Sequence, residues 1–147
     1  MKSSRVLLAL AIGAFGIGPA EFTPMGLLPV IADGVGVGIP SAGMLVTAYA
    51  VGVMLGAPLM TLLFSRFGKR AALIALMAIF TVGNLLSALA PDYGTLLASR
   101  LVTSLNHGAF FGLGAVVAAS VVPRDKQASA VATMFMGLTI ANIGGVP

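Results

Sequence analysis

The chain of 147 residues contains no cysteine and very few charged residues. The absence of cysteine excludes disulfide bonds, thiolate metal sites and cysteine nucleophiles. Charged residues make up 8% of the sequence, whereas a soluble domain carries roughly a quarter. Hydrophobic residues make up 59%, and the mean hydropathy is +1.08. Because such a chain lacks the polar surface that solubility in water requires, we predict a membrane protein.

Two features that suggest other ligand classes are not supported. The net charge of +4 is compatible with nucleic-acid binding, but the sequence has no basic stripe with interleaved aromatic residues that would follow a phosphate backbone. The glycine-rich segment 34–38 has no preceding strand, so it does not predict a dinucleotide site. We therefore expect no nucleic-acid partner, no metal and no other cofactor, and no motif indicates an enzyme.

Charged and turn-forming residues divide the sequence into five apolar stretches. Each of the first four has about 20 residues or more, the length that crosses a hydrocarbon core of ~30 Å as a helix. We therefore predict an all-α membrane protein. The five stretches run over residues 5–31, 43–64, 71–90, 95–122 and 128–147.

The beginning of the chain also resembles a secretory signal. Lys2 and Arg5 precede an apolar run, which is the order of a signal peptide. The apolar run continues past Glu21 to Val30, however, and is long enough to span a membrane. We interpret it as a first transmembrane helix.

The basic residues outside the stretches fall on alternate connections. They precede the first stretch, separate the second from the third, and separate the fourth from the fifth, whereas the other two connections contain no Lys or Arg. Because cytoplasmic loops carry the excess of Lys and Arg, this pattern predicts a multi-pass membrane protein with a cytoplasmic N-terminus. The basic residues are Lys2, Arg5, Arg66, Lys69, Arg70, Arg124 and Lys126.

The fifth stretch has no closing polar flank. It is still apolar at Ile140, Ile143 and Val146, and the sequence stops at Pro147. We expect four complete transmembrane helices and an incomplete fifth, and a missing C-terminal half as the partner of this chain.

Glu21 lies inside the first stretch, between Pro19 and Pro24. Ionisable groups within a membrane are costly and usually mark ion or substrate pathways. We therefore predict that Glu21 carries protons, and the alternative is a structural ion pair or an interfacial residue. The two prolines predict a bend in the helix near the carboxylate.

Arg100 is the other formally charged residue in the interior of a stretch. It lies roughly 8 Å from the external end of the fourth stretch, and Glu21 lies roughly 14 Å from the external end of the first, at 1.5 Å per residue. Pairing of the two would lower the cost of burying both charges. The alternative is that the Arg100 side chain extends to the outer interface.

His107 is the only histidine. It follows Arg100 by seven positions and so lies on nearly the same helix face, with Ser104 between them. It is a candidate proton relay near neutral pH, and a hydrogen bond between helices is an equally good explanation.

Four segments of the sequence together resemble the major facilitator superfamily, and within it the branch of drug:proton antiporters and arabinose-efflux-permease-like proteins. The resemblance extends in order along essentially the whole chain and implies a bundle of twelve helices, of which this chain supplies the N-terminal part. Because that branch is bacterial, the resemblance also implies a location in the bacterial inner membrane. The segments are GPAEFTPMGLLPVIA, SRFGKRAALI, SRLVTSLNHGAFFGLGAVVAASVVP and GLTIANIGGVP.

The resemblance also implies roles for particular residues. The loop between the second and third helices is similar to the family's loop motif at Arg66, Gly68, Lys69 and Arg70, which implies a cytoplasmic gate and a contact with lipid head groups. Thr61 and Ser65 stand where the family has a glycine and an aspartate. In the fourth helix Arg100 matches the motif arginine, which implies a part in proton coupling, and Ser104 replaces the motif glycine. Glu21 resembles the first-helix acid of drug:proton antiporters.

These features predict a secondary active transporter that exports a small organic solute, drug-like or sugar-like, in exchange for protons by alternating access. Its partners are the lipid bilayer, the solute and protons. Two alternatives remain at this point: a small dimeric multidrug exporter with few helices and a first-helix glutamate, and a truncated membrane remnant or scaffold without transport activity. Reading the gene beyond codon 147 separates the remnant from the transporter.

Overall fold

The computed structural model describes residues 2–145 of the chain. Val146 and Pro147, which end the fifth predicted stretch, lie outside the described residues. The described chain folds into six α-helices and one short 3-10 helix. The elements are α1 (Lys2–Gly26), α2 (Leu28–Gly34), α3 (Ile39–Phe64), α4 (Lys69–Ala88), α5 (Tyr93–Ser120), the 3-10 helix Arg124–Lys126 and α6 (Gln127–Gly145).

Within residues 2–145, five helical segments are long and apolar enough to cross a membrane, judged by length and composition. The predicted class, an all-α protein with several membrane helices, is confirmed. The short helix α2 does not belong to the five. The segments are Ser3–Gly26, Ile39–Phe64, Lys69–Ala88, Tyr93–Ser120 and Arg124–Gly145.

The first predicted stretch contains two helices instead of one. Helix α1 continues through Pro19 and Pro24 and ends at Gly26, and α2 begins after a turn at Leu27. Gly26 leaves a helix at little cost, and Pro29 lies in the first turn of α2, where its missing N–H has no partner to lose. The helical path therefore breaks six positions after Glu21.

The glycine-rich segment that follows α2 ends this helix. Gly36 has a φ of +67°, a left-handed conformation that favours glycine. The Val37 N–H donates to the Ala32 carbonyl at 2.9 Å, and the Gly36 N–H donates to the Asp33 carbonyl at 3.2 Å. This pair of hydrogen bonds is the Schellman pattern. The segment thus has a structural explanation that involves no ligand.

The chain forms two compact units. The first combines residues up to Thr23 with those from Phe111 onward, and the second is the continuous segment Pro24–Phe110. Helices α1 and α5 each contribute to both units, because the boundaries fall within them.

In the first unit, α1 and α6 pack closely through glycine. A Cβ added at Gly137 would meet the Ala11 backbone, and one added at Gly18 would lie 2.8 Å from the Ala141 Cβ. Farther along both helices the Thr23 hydroxyl donates to the Gly145 carbonyl at 3.3 Å. Since the contacts advance along both helices together, α1 and α6 run in the same direction.

In the second unit, α5 packs against both α3 and α4. Gly52 of α3 lies against Ser104, and Ala57 of α3 lies against Gly108, so α3 and α5 run in the same direction. The two hydroxyls of Ser87 in α4 and Ser99 in α5 are 2.7 Å apart, whereas Gly83, earlier in α4, lies against Thr103, later in α5. Helices α4 and α5 are therefore antiparallel. These directions agree with spans that cross the membrane alternately.

Candidate functional site

Two of the predicted site residues, Arg100 and His107, meet around a tyrosine from another helix. The Arg100 guanidinium carbon lies 4.3 Å from the centroid of the Tyr49 ring. The Tyr49 hydroxyl lies 3.2 Å from His107 Nδ1, and the two rings are edge-to-face with centroids 6.0 Å apart. We call these three residues the Arg100 cluster.

The Arg100 cluster is buried within its unit. Tyr49 is 3% exposed and Arg100 is 5% exposed, and His107 is half-buried. A guanidinium over an aromatic face is worth about 2 kcal/mol when it is desolvated. The side chain of Arg100 therefore packs inside the helix bundle instead of extending along its surface.

Small residues on α3 bring the cluster together. Gly52 and Gly56 follow Tyr49 by three and seven positions and so lie on the same helix face. A Cβ at Gly52 would meet the Ser104 hydroxyl, and a Cβ at Gly56 would lie 3.0 Å from the Leu105 Cα. Because glycine allows α5 to approach this closely, Tyr49 reaches the face of α5 that carries Arg100 and His107.

A second polar face of α5 packs against α4. Ser99, Thr103 and Asn106 are buried and share one helix face by their spacing. The Ser99 hydroxyl pairs with that of Ser87, and the Thr103 hydroxyl donates to the Ser99 carbonyl at 2.8 Å. These local bonds serve helix packing, so α5 presents Ser99 and Thr103 to α4 and the Arg100 cluster to α3.

Glu21 lies on α1 in the other compact unit. It is half-buried, near the end of that helix. Because Glu21 and Arg100 belong to different units, their pairing stays a prediction.

The predicted gate residues lie together at the turn between α3 and α4. Arg66, Gly68, Lys69 and Arg70 are all exposed. Gly68 is the N-cap of α4, with φ −60° and ψ 138°, and its carbonyl accepts from the Ala72 N–H at 3.0 Å. Lys69 and Arg70 thus begin a helix, where a positive charge opposes the helix dipole. Helix stability does not explain these two charges, and their role at lipid head groups or a gate stays a prediction.

Thr61 and Ser65 use their hydroxyls locally. The Thr61 hydroxyl donates to the Ala57 carbonyl and the Ser65 hydroxyl to the Leu62 carbonyl, each at 2.7 Å. Both bonds satisfy backbone groups in the last turns of α3. Ser65, the position at which the resemblance implies an aspartate, therefore carries a side chain that bonds to its own helix.

Tyr49 is the member of the cluster that the sequence analysis missed. The chain has two tyrosines, and one within an apolar stretch carries no signal that separates it from core packing. The nearby Gly52-x-x-x-Gly56 pattern marks the helix face that packs closely. A tyrosine one turn before that pattern is the signal that was available.

The sequence model described as Major Facilitator Superfamily matches residues 10–147 of the chain. Among curated proteins, the inner membrane transport protein YdhP of Escherichia coli strain K12 is 78% identical over 147 residues, which is 100% of this chain and 38% of that protein. The putative transporter AraJ of the same organism is 43% identical over 97% of this chain and 36% of its own length.

A third relative is the chloramphenicol resistance protein of Streptomyces lividans, which is 35% identical over 96% of this chain and 36% of its own length. The chain thus spans somewhat more than a third of the length of these relatives.

Proposed function

The chain belongs to the major facilitator superfamily, and from that premise we propose that it forms part of a secondary active transporter that exports a small organic solute in exchange for protons. Transport proceeds by alternating access, in which this part rocks against the remainder of the protein around a site near the midplane. The observation that carries the proposal is the buried Arg100 cluster between α3 and α5, two helices that are long and apolar enough to cross a membrane.

We assign the proton to Glu21. A group that couples flux to a proton gradient must lose and regain its proton in each cycle, and a carboxylate inside a membrane span can do both. Arg100 supplies a fixed positive charge, because arginine does not deprotonate in proteins. His107 serves as a proton relay beside it.

The names of two relatives support an exported solute that is drug-like or sugar-like. One is the chloramphenicol resistance protein described above, and another, 30% identical, is a probable sugar efflux transporter of Pasteurella multocida. The name of the inner membrane relative supports the same location for this protein. The N-terminus and the basic turn Arg66–Arg70 then face the cytoplasm.

The test uses the complete transporter in everted membrane vesicles with an imposed pH gradient. The probes are labelled chloramphenicol and a panel of labelled pentose and hexose sugars. At least one probe should accumulate when the gradient is present and should not accumulate when a protonophore removes it. Absence of gradient-dependent uptake for all probes would contradict the proposed class of solute.

Glu21→Gln tests the carrier within the same assay. The variant keeps the shape of the side chain but cannot change its charge, so gradient-driven uptake should be lost while the amount of inserted protein is unchanged. Exchange of labelled for unlabelled solute, which needs no net proton movement, should be retained in part. Normal gradient-driven uptake by Glu21→Gln would assign Glu21 a structural role.

A further inference from the structure

Tyr49 contacts Arg100 and His107 with two different parts of its side chain. The ring lies against the guanidinium, at 4.3 Å from centroid to carbon. The hydroxyl reaches His107 Nδ1 at 3.2 Å. These two contacts can be removed separately, because phenylalanine keeps the ring and lacks the hydroxyl.

The hydrogen bond between the Tyr49 hydroxyl and His107 Nδ1 can run in either direction, and its direction is linked to which imidazole nitrogen carries the proton. The tautomer of a neutral histidine is set by the hydrogen bond that one ring nitrogen makes. A phenol that donates to Nδ1 requires a lone pair there and therefore places the imidazole proton on Nε2.

The ring contact fixes the position of the guanidinium. Arginine has a long side chain with many rotamers, and ordering it costs conformational entropy. A buried aromatic face attracts the cation and restricts it. Tyr49 lies one turn before Gly52, which packs against Ser104 of α5, and two turns before Gly56, which packs against the Leu105 backbone, so the close packing of the two helices sets the position of the ring.

We propose that Tyr49 is a positioning residue for proton coupling: its ring holds the Arg100 guanidinium, and its hydroxyl donates to His107 Nδ1 and fixes the Nε2–H tautomer. This inference rests on the proposed transport function for its purpose. The contacts of Tyr49 are tested by spectroscopy and not by transport, so the Tyr49 proposal and the transport proposal can fail independently.

The hydroxyl contact is tested by nuclear magnetic resonance of the complete transporter labelled with 15N-histidine in lipid. The His107 signals are those that disappear in His107→Gln. Nδ1 should show the shift of an unprotonated nitrogen that accepts a hydrogen bond. In Tyr49→Phe the Nδ1 signal should move to the position of a nitrogen without that bond.

The second tyrosine offers a matched control. The Tyr93 hydroxyl donates to the Ser41 carbonyl at 2.7 Å, in an exposed position away from His107. Tyr93→Phe removes a phenol hydroxyl in the same way and should leave the His107 signals unchanged. A protonated Nδ1, or identical His107 spectra for wild type and Tyr49→Phe, would overturn the hydroxyl part of the proposal.

The ring contact is tested by the proton shift of the Arg100 Nε–H, identified by its loss in Arg100→Lys. An aromatic ring at this distance displaces the signal by its ring current. The displacement should be present in wild type and in Tyr49→Phe and absent in Tyr49→Leu. The same shift in all three proteins would overturn the ring part. If Tyr49→Leu does not fold, a loss of the displacement in Tyr49→Phe serves as the contradicting result.

Transport is measured on the same variants in everted vesicles. Tyr49→Leu should reduce gradient-driven uptake as far as Arg100→Ala, which removes the guanidinium itself. Tyr49→Phe should reduce it only in part. Normal uptake by both variants, with the expected spectral changes, would overturn the positioning role. Normal uptake by Glu21→Gln would instead overturn the proposed carrier and leave the Tyr49 geometry intact.

Discussion

The Ser104 hydroxyl occupies the space that a side chain at position 52 would need, and position 52 is glycine. Ser104 is fully buried, and its hydroxyl also donates to the Leu101 carbonyl at 2.7 Å. The small residue of this helix contact is on α3, and α5 contributes the larger side chain. The contact sets the distance between the helices that carry Tyr49 and Arg100.

We expect Gly52→Ala to destabilise the protein by about 1–3 kcal/mol, the usual cost of overpacking a core. Ser104→Gly in the same protein should restore most of the loss, because the next atom near the new Cβ, Leu101 Cδ2, is 3.5 Å away. Gly43→Ala in the same helix meets nothing within 4 Å and is the control. Thermal unfolding in detergent measures the wild type, the three single variants and the double variant, and additive effects of Gly52→Ala and Ser104→Gly would contradict the direct contact.

Gly137→Ala should also destabilise the protein, and no side-chain substitution should rescue it. The added Cβ would meet the Ala11 backbone, which cannot change rotamer. Only a separation of α1 from α6 would relieve the contact between the added Cβ and the Ala11 backbone. Gly16→Ala, where nothing lies within 4 Å, is the matched control in α1. Equal unfolding midpoints for the two variants would show that α1 and α6 do not pack through Gly137.

Asp92 should make the beginning of α5 sensitive to acid. Its carboxylate accepts from the Thr95 N–H and from the Thr95 hydroxyl, each at 2.9 Å. The backbone hydrogen bond from Thr95 is the main cause that lowers the Asp92 pKa below its usual 3.8, and the Thr95 hydroxyl adds to it. A lowered pKa stabilises the folded state above the unfolded value, and this contribution is lost as the pH falls through the folded value.

Asp92→Asn keeps an N-cap acceptor and removes the titration. Its unfolding midpoint should therefore fall less than that of the wild type when the pH is taken from neutral to below 3.8. Asp33→Asn removes another exposed acid and serves as the control. If Asp92→Asn follows the wild type over this range, the cap does not contribute to the acid sensitivity.

The orientation in the membrane is tested by single cysteines. The chain is free of cysteine, and positions 33 and 68 are exposed. Asp33→Cys should react with an impermeant thiol reagent in intact spheroplasts, and Gly68→Cys should react only after lysis. Native cysteines elsewhere in the complete protein are replaced first. The reverse pattern would place the basic turn outside and overturn the predicted topology.

The chain's composition and charge pattern were sufficient to predict five apolar membrane helices, and four motifs were sufficient for the family. Such features are local in the sequence. The length of an apolar run decides whether it spans a membrane, and the helix repeat places Arg100 and His107 on one face. The break at Leu27 was not predicted, because three prolines and several glycines lie near it and each is compatible with an interruption.

The tertiary structure decided which residues meet. The sequence contains 19 glycines, and only packing distinguishes Gly52, which must remain small, from Gly43, which faces open space. Packing also decided that Tyr49 belongs to the Arg100 cluster. Its sequence position carries no charge signal, and its contact with Arg100 depends on how closely two helices approach. That distance is set by side chains on both helices together, which no single stretch of sequence specifies.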